Sequence, residues 1–321
     1  MPEAFTVSVV VASHARALRL LWLLNALEEQ TLAEPWEAIV VHDYDAGTAA
    51  RVIESHPLAR AGRLRHLAIE PGTGSPARQR NLGWRAARAP LVAFVDDDCR
   101  ADLRWLEGLA AVAREQPGQV VQGATRPEPL EAAVMRAPHV RTLHIEPVGP
   151  FAQTCNILYP RDLLERLDGF DERAITGEDV GLSMRAKATG ARVVAAPDAV
   201  VYHAIESHTL PGILRQNVKW RHLAYLVKRH PEVRGSLTLG VFWDEDHLWG
   251  AVALAGVVAA PRAPAAALLA LPYARRAMRR RGPGPRGRLV AAAELPGQFV
   301  RQSGEILGLA TGSLRHRTLV L

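Results

Sequence analysis

Cysteine is scarce: only Cys99 and Cys155 occur in 321 residues, too few for a disulfide framework and without zinc-ligand spacing. That usage fits a reducing compartment. No basic segment leads into a cleavable apolar run ahead of the first strand-like stretch, so no signal peptide is expected. Long hydrophobic runs are missing as well. The Ala/Leu/Val-rich stretch from Trp249 to Tyr273 is broken by Pro261, Arg262 and Pro264, and each half is shorter than the ~20 residues that span a bilayer. No zinc finger, RNP-like aromatic motif or helix-turn-helix pattern accompanies the net charge of +6, which argues against a nucleic-acid partner. There is no internal repeat.

What is present reads as globular. Hydrophobic residues make up 48% and charged residues 22% of the chain, enough for one large domain or two small ones with an ample core. Strand-like runs alternate with helical spacing. Thr6–Ala12 precedes a helix over Arg16–Gln30, whose Leu20, Leu23, Leu24 and Leu27 form one face. Trp36–His42 precedes a helix over Thr48–Ser55, and Arg63–Ile69 is a short strand. A Pro/Gly loop, residues 71–76, leads to a helix over Ala77–Ala87. Later come a helix over Leu103–Glu115, strands at Gln119–Gly123 and Phe151–Tyr159, and helices at Arg161–Leu167 and Val180–Thr189. Strand-like Arg192–Ala195 and Ala199–His203 are separated by Pro197, and Leu210–Arg229 is expected to be one long helix. Such alternation predicts an α/β, largely parallel sheet flanked by helices. Arg126–Pro150 has mixed periodicity and gives no assignment.

The pivot is Leu91-Val92-Ala93-Phe94-Val95-Asp96-Asp97-Asp98. Five apolar residues read as a strand buried on both faces. Core packing does not call for three successive carboxylates, which repel and are costly to bury. At the C-terminal end of a parallel strand they stand where open α/β sheets bind ligands, and hard oxygen donors suit Mg²⁺ or Mn²⁺ shared with phosphates. The plainer alternative is a solvated acidic turn that caps the next helix.

The order of motifs is more specific than any one of them. Ala12-Ser13-His14-Ala15-Arg16 ends the first strand and His42-Asp43-Tyr44-Asp45 the second. Arg78-Gln79-Arg80-Asn81 follows, then the acidic triplet, Gly169-Phe170-Asp171-Glu172, Gly177-Glu178-Asp179 and Val201-Tyr202-His203. Over about two thirds of the chain, Val7 to Trp220, this resembles a family 2 glycosyltransferase of GT-A fold. The resemblance implies a Rossmann-like mixed sheet and a catalytic domain over 1–235, with a helical extension over 236–321. It implies donor contacts from Ala12, Ser13, Arg16, Asp43, Arg80, Asn81, Asp96, Asp97 and Asp98, a divalent cation (Mn²⁺ or Mg²⁺) held by Asp96, Asp98 and His203, and Asp179 as catalytic base assisted by Glu178. His42 departs from the family, which usually has an acid there. Each role has a structural counterpart: Glu178 and Asp179 can complement a helix dipole, and a strand-end histidine can be structural. Gln216-Asn217-Val218-Lys219-Trp220 is loosely similar to the motif of processive members, but Lys219 replaces an arginine and the spacing differs, so a single transfer is expected.

The expected function is inverting transfer of one sugar from a UDP-, GDP- or dTDP-linked donor to a glycan, lipid-linked or small-molecule acceptor hydroxyl, in the cytoplasm. The apolar 249–273 hairpin and the arginines from Arg275 to Arg288 suggest peripheral contact with the inner membrane face, the alternative being a buried cap or dimer contact. Arg281–Arg288 reads as a flexible basic linker. The rivals are a non-catalytic binding module of the same fold and a nucleotidyltransferase. The latter lacks support, because Ala12–Arg16 is not a Gly-rich phosphate loop.

Overall fold

The computed structural model describes residues 4–279, 281, 282 and 284–321. Two compact units form. One comprises the chain up to Met135 together with Thr142–Glu206; the other comprises Arg136–Arg141 with Ser207–Leu321. The division expected at 235/236 lies inside the second unit.

The first unit is built on an eight-stranded mixed sheet: β1 (Val7–Ser13), β2 (Trp36–His42), β3 (Leu64–Ala68), β4 (Leu91–Val95), β5 (Cys99–Ala101), β6 (Val120–Pro127), β7 (Asn156–Pro160) and β8 (Val193–His203). Their spatial order is β3-β2-β1-β4-β7-β6-β8-β5. The pairs β3–β2, β2–β1, β1–β4 and β6–β8 are parallel, and the rest antiparallel. Covered faces explain the near-continuous apolar runs of β1, β2 and β4. Val7, Val9 and Val11 point to one side, against Leu20, Leu23, Leu24 and Leu27 of the Ala17–Glu28 helix. Val10 points to the other, with Trp84, Phe94 and Phe170. The sheet is thus wrapped on both faces, as the alternating sequence predicts.

Two local departures bear on the site. The chain after the acidic triplet forms β5, a strand the sequence does not announce, and its pairing sets Cys99 opposite His203. Pro197 does not split β8. Instead the register against β6 jumps from Gly123↔Ala196 to Ala124↔Val200. Asn156 fills the resulting bulge: Nδ2 donates to the carbonyls of Ala124 and Ala199, each at 2.8 Å, and Oδ1 accepts from Trp105 Nε1 at 2.8 Å. A Cβ at Gly123 would collide with the Ala199 carbonyl and this amide. Gly123→Ala is therefore expected to destabilise the fold by about 2 kcal/mol or more, read as a lower urea midpoint at unchanged slope.

The second unit is helical. The expected single helix over Leu210–Arg229 is two helices, Leu210–Asn217 and Leu223–Arg229, joined by a 3₁₀ segment, Val218–His222. They lie on a long C-terminal helix, Pro285–His316. Gly308 and Gly312 of that helix let the backbone at Asn217 and Arg221 approach closely, and Asn217 Nδ2 donates to the Arg301 carbonyl at 3.0 Å. The stretch read as a flexible linker is helical from Pro285, where a proline's fixed φ suits the first turn; residues 280 and 283 lie outside the described ones. The apolar stretch does form a hairpin: Glu245–Ala259 turns into a 3₁₀ segment, Pro264–Ala270, and the Leu271–Arg279 helix. Among the described residues no helix is long and apolar enough to cross a membrane.

Candidate active site

The acidic triplet sits where β4 ends, beside the C-terminal end of β1; Asp97 and Asp98 share Arg16, and Asp96 is held by Arg80. Asp97 is buried and accepts from Ser13 Oγ at 2.7 Å, the His14 amide at 3.3 Å and Arg16 Nη1 at 3.3 Å. Burial, with Asp98 and Asp96 nearby, outweighs the Ser13 bond and Arg16 and pushes its pKa up to about 6. Asp98 accepts from Arg16 Nη1 at 2.7 Å through Oδ2. Its Oδ1 is buried with no hydrogen-bond partner and lies 3.7 Å from His203 Nε2. Burial raises the Asp98 pKa; the His203 ring opposes that rise.

His203 reaches this position through the β5–β8 pairing, and its Nδ1 is 2.8 Å from the Ala204 carbonyl. Donation there fixes the ring and leaves Nε2 facing Asp98, the arrangement second-shell bonds impose on ligand histidines. An orphaned carboxylate oxygen beside an imidazole nitrogen suits a divalent cation that takes its remaining ligands from phosphate and water. Asp96, expected as a third ligand, is held by Arg80 Nη2 at 2.7 Å. Among the described residues no group of three or more His, Cys, Asp or Glu is poised to hold a metal, so Asp98 and His203 are the pair the structure brings together.

Arg80 stands on the Pro76–Ala86 helix, whose start is set by Pro76 in the first turn and by Ser75 Oγ accepting the Arg78 amide at 3.2 Å. Its guanidinium is buried and forks: Nη2 to Asp96, Nη1 to buried Glu178 at 2.6 Å. Burial alone would weaken its hold on the proton, but the Asp96 and Glu178 carboxylates prevail and raise its pKa.

On the far side of that fork, Gly177 in the left-handed region (φ 81°) turns the chain into the Glu178–Ala188 helix. Asp179 Oδ1 accepts from the Val180 amide at 2.8 Å, and Oδ2 makes a long contact of 3.4 Å with the Thr154 amide. Asp179 is half-buried. Desolvation first, then the Glu178 charge, push its pKa up to about 7 against the pull of Arg80. An acid placed only to complement a helix dipole would be held below its usual range.

The remaining expected donor residues divide. Ala12 offers only backbone at the end of β1, paired with Val41. Asp43 Oδ2 lies 2.6 Å from His14 Nδ1. Asn81 turns away from the triplet: Oδ1 accepts from the Phe170 amide and Trp84 Nε1, and Nδ2 donates to the Phe170 carbonyl and Glu172. It clamps the Gly169-Phe170 turn, where a side chain on Gly169 (φ 63°) would strike Asn81 itself. His42 is buried against His66, Nε2 to Nδ1 at 2.9 Å, and burial then His66 lower its pKa. Three participants were not expected from sequence. Tyr44 Oη bonds Ser13 Oγ at 2.7 Å and the Arg16 amide at 3.2 Å, Glu206 accepts from Arg16 Nη2 at 3.1 Å, and the Thr154 amide meets Asp179. Only Tyr44 had a signal, its place in the acidic loop after β2.

The profile of Glycosyl transferase family 2 matches residues 8–167, and that of Glycosyl transferase family group 2 matches residues 91–273. The pre-mycofactocin glycosyltransferase of Mycobacterium tuberculosis is 29% identical over 184 residues, 53% of this chain and 38% of that one. The validoxylamine A glucosyltransferase of Streptomyces hygroscopicus is 30% identical over 219 residues, 57% of this chain and 51% of that one. The chain thus spans about half or less of these relatives' lengths. A mannosyltransferase from Pyrobaculum calidifontis, solved in complex with GDP-Man and Mn²⁺, superposes with a TM-score of 0.57 at 18% identity, covering 98% of this chain and 88% of that one; at that identity the likeness establishes the fold, GT-A. The two profiles together run from residue 8 to residue 273, and the second alone covers more than half of the chain, so the chain belongs to the family 2 glycosyltransferases.

Proposed function

We propose that this chain is an inverting, divalent-cation-dependent glycosyltransferase that moves one sugar from a nucleoside-diphosphate donor to an acceptor hydroxyl. The observation that carries the reading is the Arg80 fork, which ties Asp96 of the triplet to Glu178, next to Asp179. One guanidinium thereby spans a donor-side acid cluster and an acceptor-side base.

In this reading the acceptor O–H loses its proton to Asp179 as its oxygen bonds the anomeric carbon and the bond from that carbon to the diphosphate breaks. Asp179 suits the task because its pKa lies near neutrality. Arg80 and Glu178 hold the base in place. Asp98 and His203 hold the cation, which when bound supplies charge neutralisation at the departing diphosphate. Ser13, Arg16 and Asp43 line the nucleotide end. The Pyrobaculum neighbour, bound to GDP-Man and Mn²⁺, supports a nucleotide-sugar donor and a cation. Assembly of a cell-envelope glycan or glycolipid, or glycosylation of a specialised metabolite, is the setting we assign; the validoxylamine A glucosyltransferase, named for a small-molecule acceptor, supports the second of these.

The test is nucleoside-diphosphate release from a panel of UDP-, GDP- and dTDP-sugars, with Mn²⁺ or with EDTA. Release from one donor, lost in EDTA and reduced at least ~100-fold in Asp98→Ala, is the expected result. Silence on every donor, or release indifferent to EDTA and to Asp98→Ala, would contradict the proposal.

A further inference from the structure

The helical hairpin of the second unit exposes what a core would bury. Val257 and Val258 on its first helix, and Leu268, Leu269 and Leu271 on its return, are exposed, Val258 at 65% and Leu268 at 63%. Gly256 holds the two arms together, its missing side chain leaving room for the Ala266 carbonyl and Leu269. The tip carries exposed Arg262 between prolines. On the return helix, Tyr273 and Ala277 face inward. Leu271, Arg275 and Arg279 fall at four-residue steps on the outer face, so each arginine sits about 6 Å further along the axis than the residue before it.

The charge around this patch has one sign. No Asp or Glu occurs between Asp246 and Glu294, while arginine recurs throughout. Arg276 is engaged by Glu245 and Asp246, and Arg281 by Glu294. Arg262, Arg275 and Arg279 make no ion pair among the described residues. We infer that this hairpin is a docking surface for an anionic lipid bilayer. Its aliphatic arms lie in the headgroup–acyl boundary and its arginines reach the lipid phosphates. Aliphatic side chains interleaved with unpaired cations match that boundary, whereas they give nothing to a nucleic-acid backbone. The hairpin lies on the surface rather than across the membrane, since no described helix is long and apolar enough to cross one.

The experiment is flotation of the full chain with phosphatidylcholine vesicles, with and without about one third phosphatidylglycerol. Binding is expected to the anionic vesicles only and to fall as salt rises to about 1 M. Arg275→Gln with Arg279→Gln should weaken it about 25-fold, roughly fivefold for each charge near the surface. Val258→Glu with Leu268→Glu should weaken it at least ~10-fold without moving the urea midpoint. A Leu268→Trp chain tests insertion without removing apolar surface, and its emission should shift to the blue on anionic vesicles by more than that of the wild type. Equal binding to both vesicle types, or emission from the Leu268→Trp chain that anionic vesicles leave unshifted, would overturn the assignment. So would a self-associated chain that ignores vesicles and that Val258→Glu with Leu268→Glu makes monomeric.

Discussion

Asp179→Asn is expected to lower turnover by at least about 1,000-fold while leaving donor affinity within about threefold, because the amide keeps the shape and loses the base. The pH dependence follows from the same carboxylate. With a pKa pushed up to about 7, Asp179 is increasingly protonated below neutrality, so kcat/KM of the wild type should rise through about pH 7 and level off above it. The stability has the opposite slope. A folded-state pKa above the ordinary carboxylate value of 3.8 means that the native state holds a proton the unfolded chain has already released. The contribution of Asp179 to stability therefore declines as pH rises from about 4 to about 7, and then levels off. Asp179→Asn removes that contribution and leaves those of Asp97 and Asp98, whose pKa values burial also raises; it should be no less stable than wild type at pH 8, as denaturant titrations of both proteins at several pH values would report. A variant that is inactive yet at least as stable is hard to reconcile with a merely structural acid. Loss of stability at pH 8 equal to the loss at pH 5 would refute this account of Asp179.

The second large effect is expected at Arg80. Removing one partner of a buried ion pair leaves an uncompensated charge, which costs about 3–5 kcal/mol. Here one guanidinium compensates two carboxylates. Glu178 is 9% exposed and Asp96 28%, so the penalty falls mainly on Glu178. Arg80→Met should cost about 3 kcal/mol and, by releasing the start of the helix that carries Asp179, lower turnover at least ~100-fold. Arg80→Lys keeps the charge without the fork that reaches both acids, and should fall between the two. Adding Glu178→Gln to Arg80→Met should restore part of the stability and little of the activity. Urea unfolding and donor-hydrolysis rates on wild type, Arg80→Lys, Arg80→Met, Glu178→Gln and the double variant separate these effects; stability losses of the two single variants that simply add in the double variant would show that the two residues are not coupled.

How far the sequence announced all this depends on whether a feature is local. The apolar runs of β1, β2 and β4 and the acids at the end of β4 are contiguous, and their meaning survives without the fold. The Asp98–His203 pair is different. It depends on β5, three residues long, pairing antiparallel with β8 so that Cys99 faces His203, and no periodicity can reveal so short a strand. The split expected at Pro197 failed for a related reason, since the bulge is stabilised by Asn156, which arrives from a distant strand. Asn81 was implied as a donor contact by the family resemblance, and the structure adds what no local pattern shows: its four hydrogen bonds reach Trp84, Phe170 and Glu172 and hold the Gly169-Phe170 turn. In the second unit, Leu210–Arg229 read as one helix because propensity is local. The 3₁₀ segment in its middle lies on glycines of the C-terminal helix, far downstream in the chain.

The central claim is a single displacement assisted by one base, and its most direct test is stereochemical. A proton NMR time course of donor hydrolysis, begun before the released sugar mutarotates, reports the anomer first formed. The account predicts that the first sugar released from an α-linked donor is the β anomer, with its formation lost in Asp179→Asn. Release of the α anomer first would mean retention, and would contradict the assignment of Asp179 as the base of an inverting transfer.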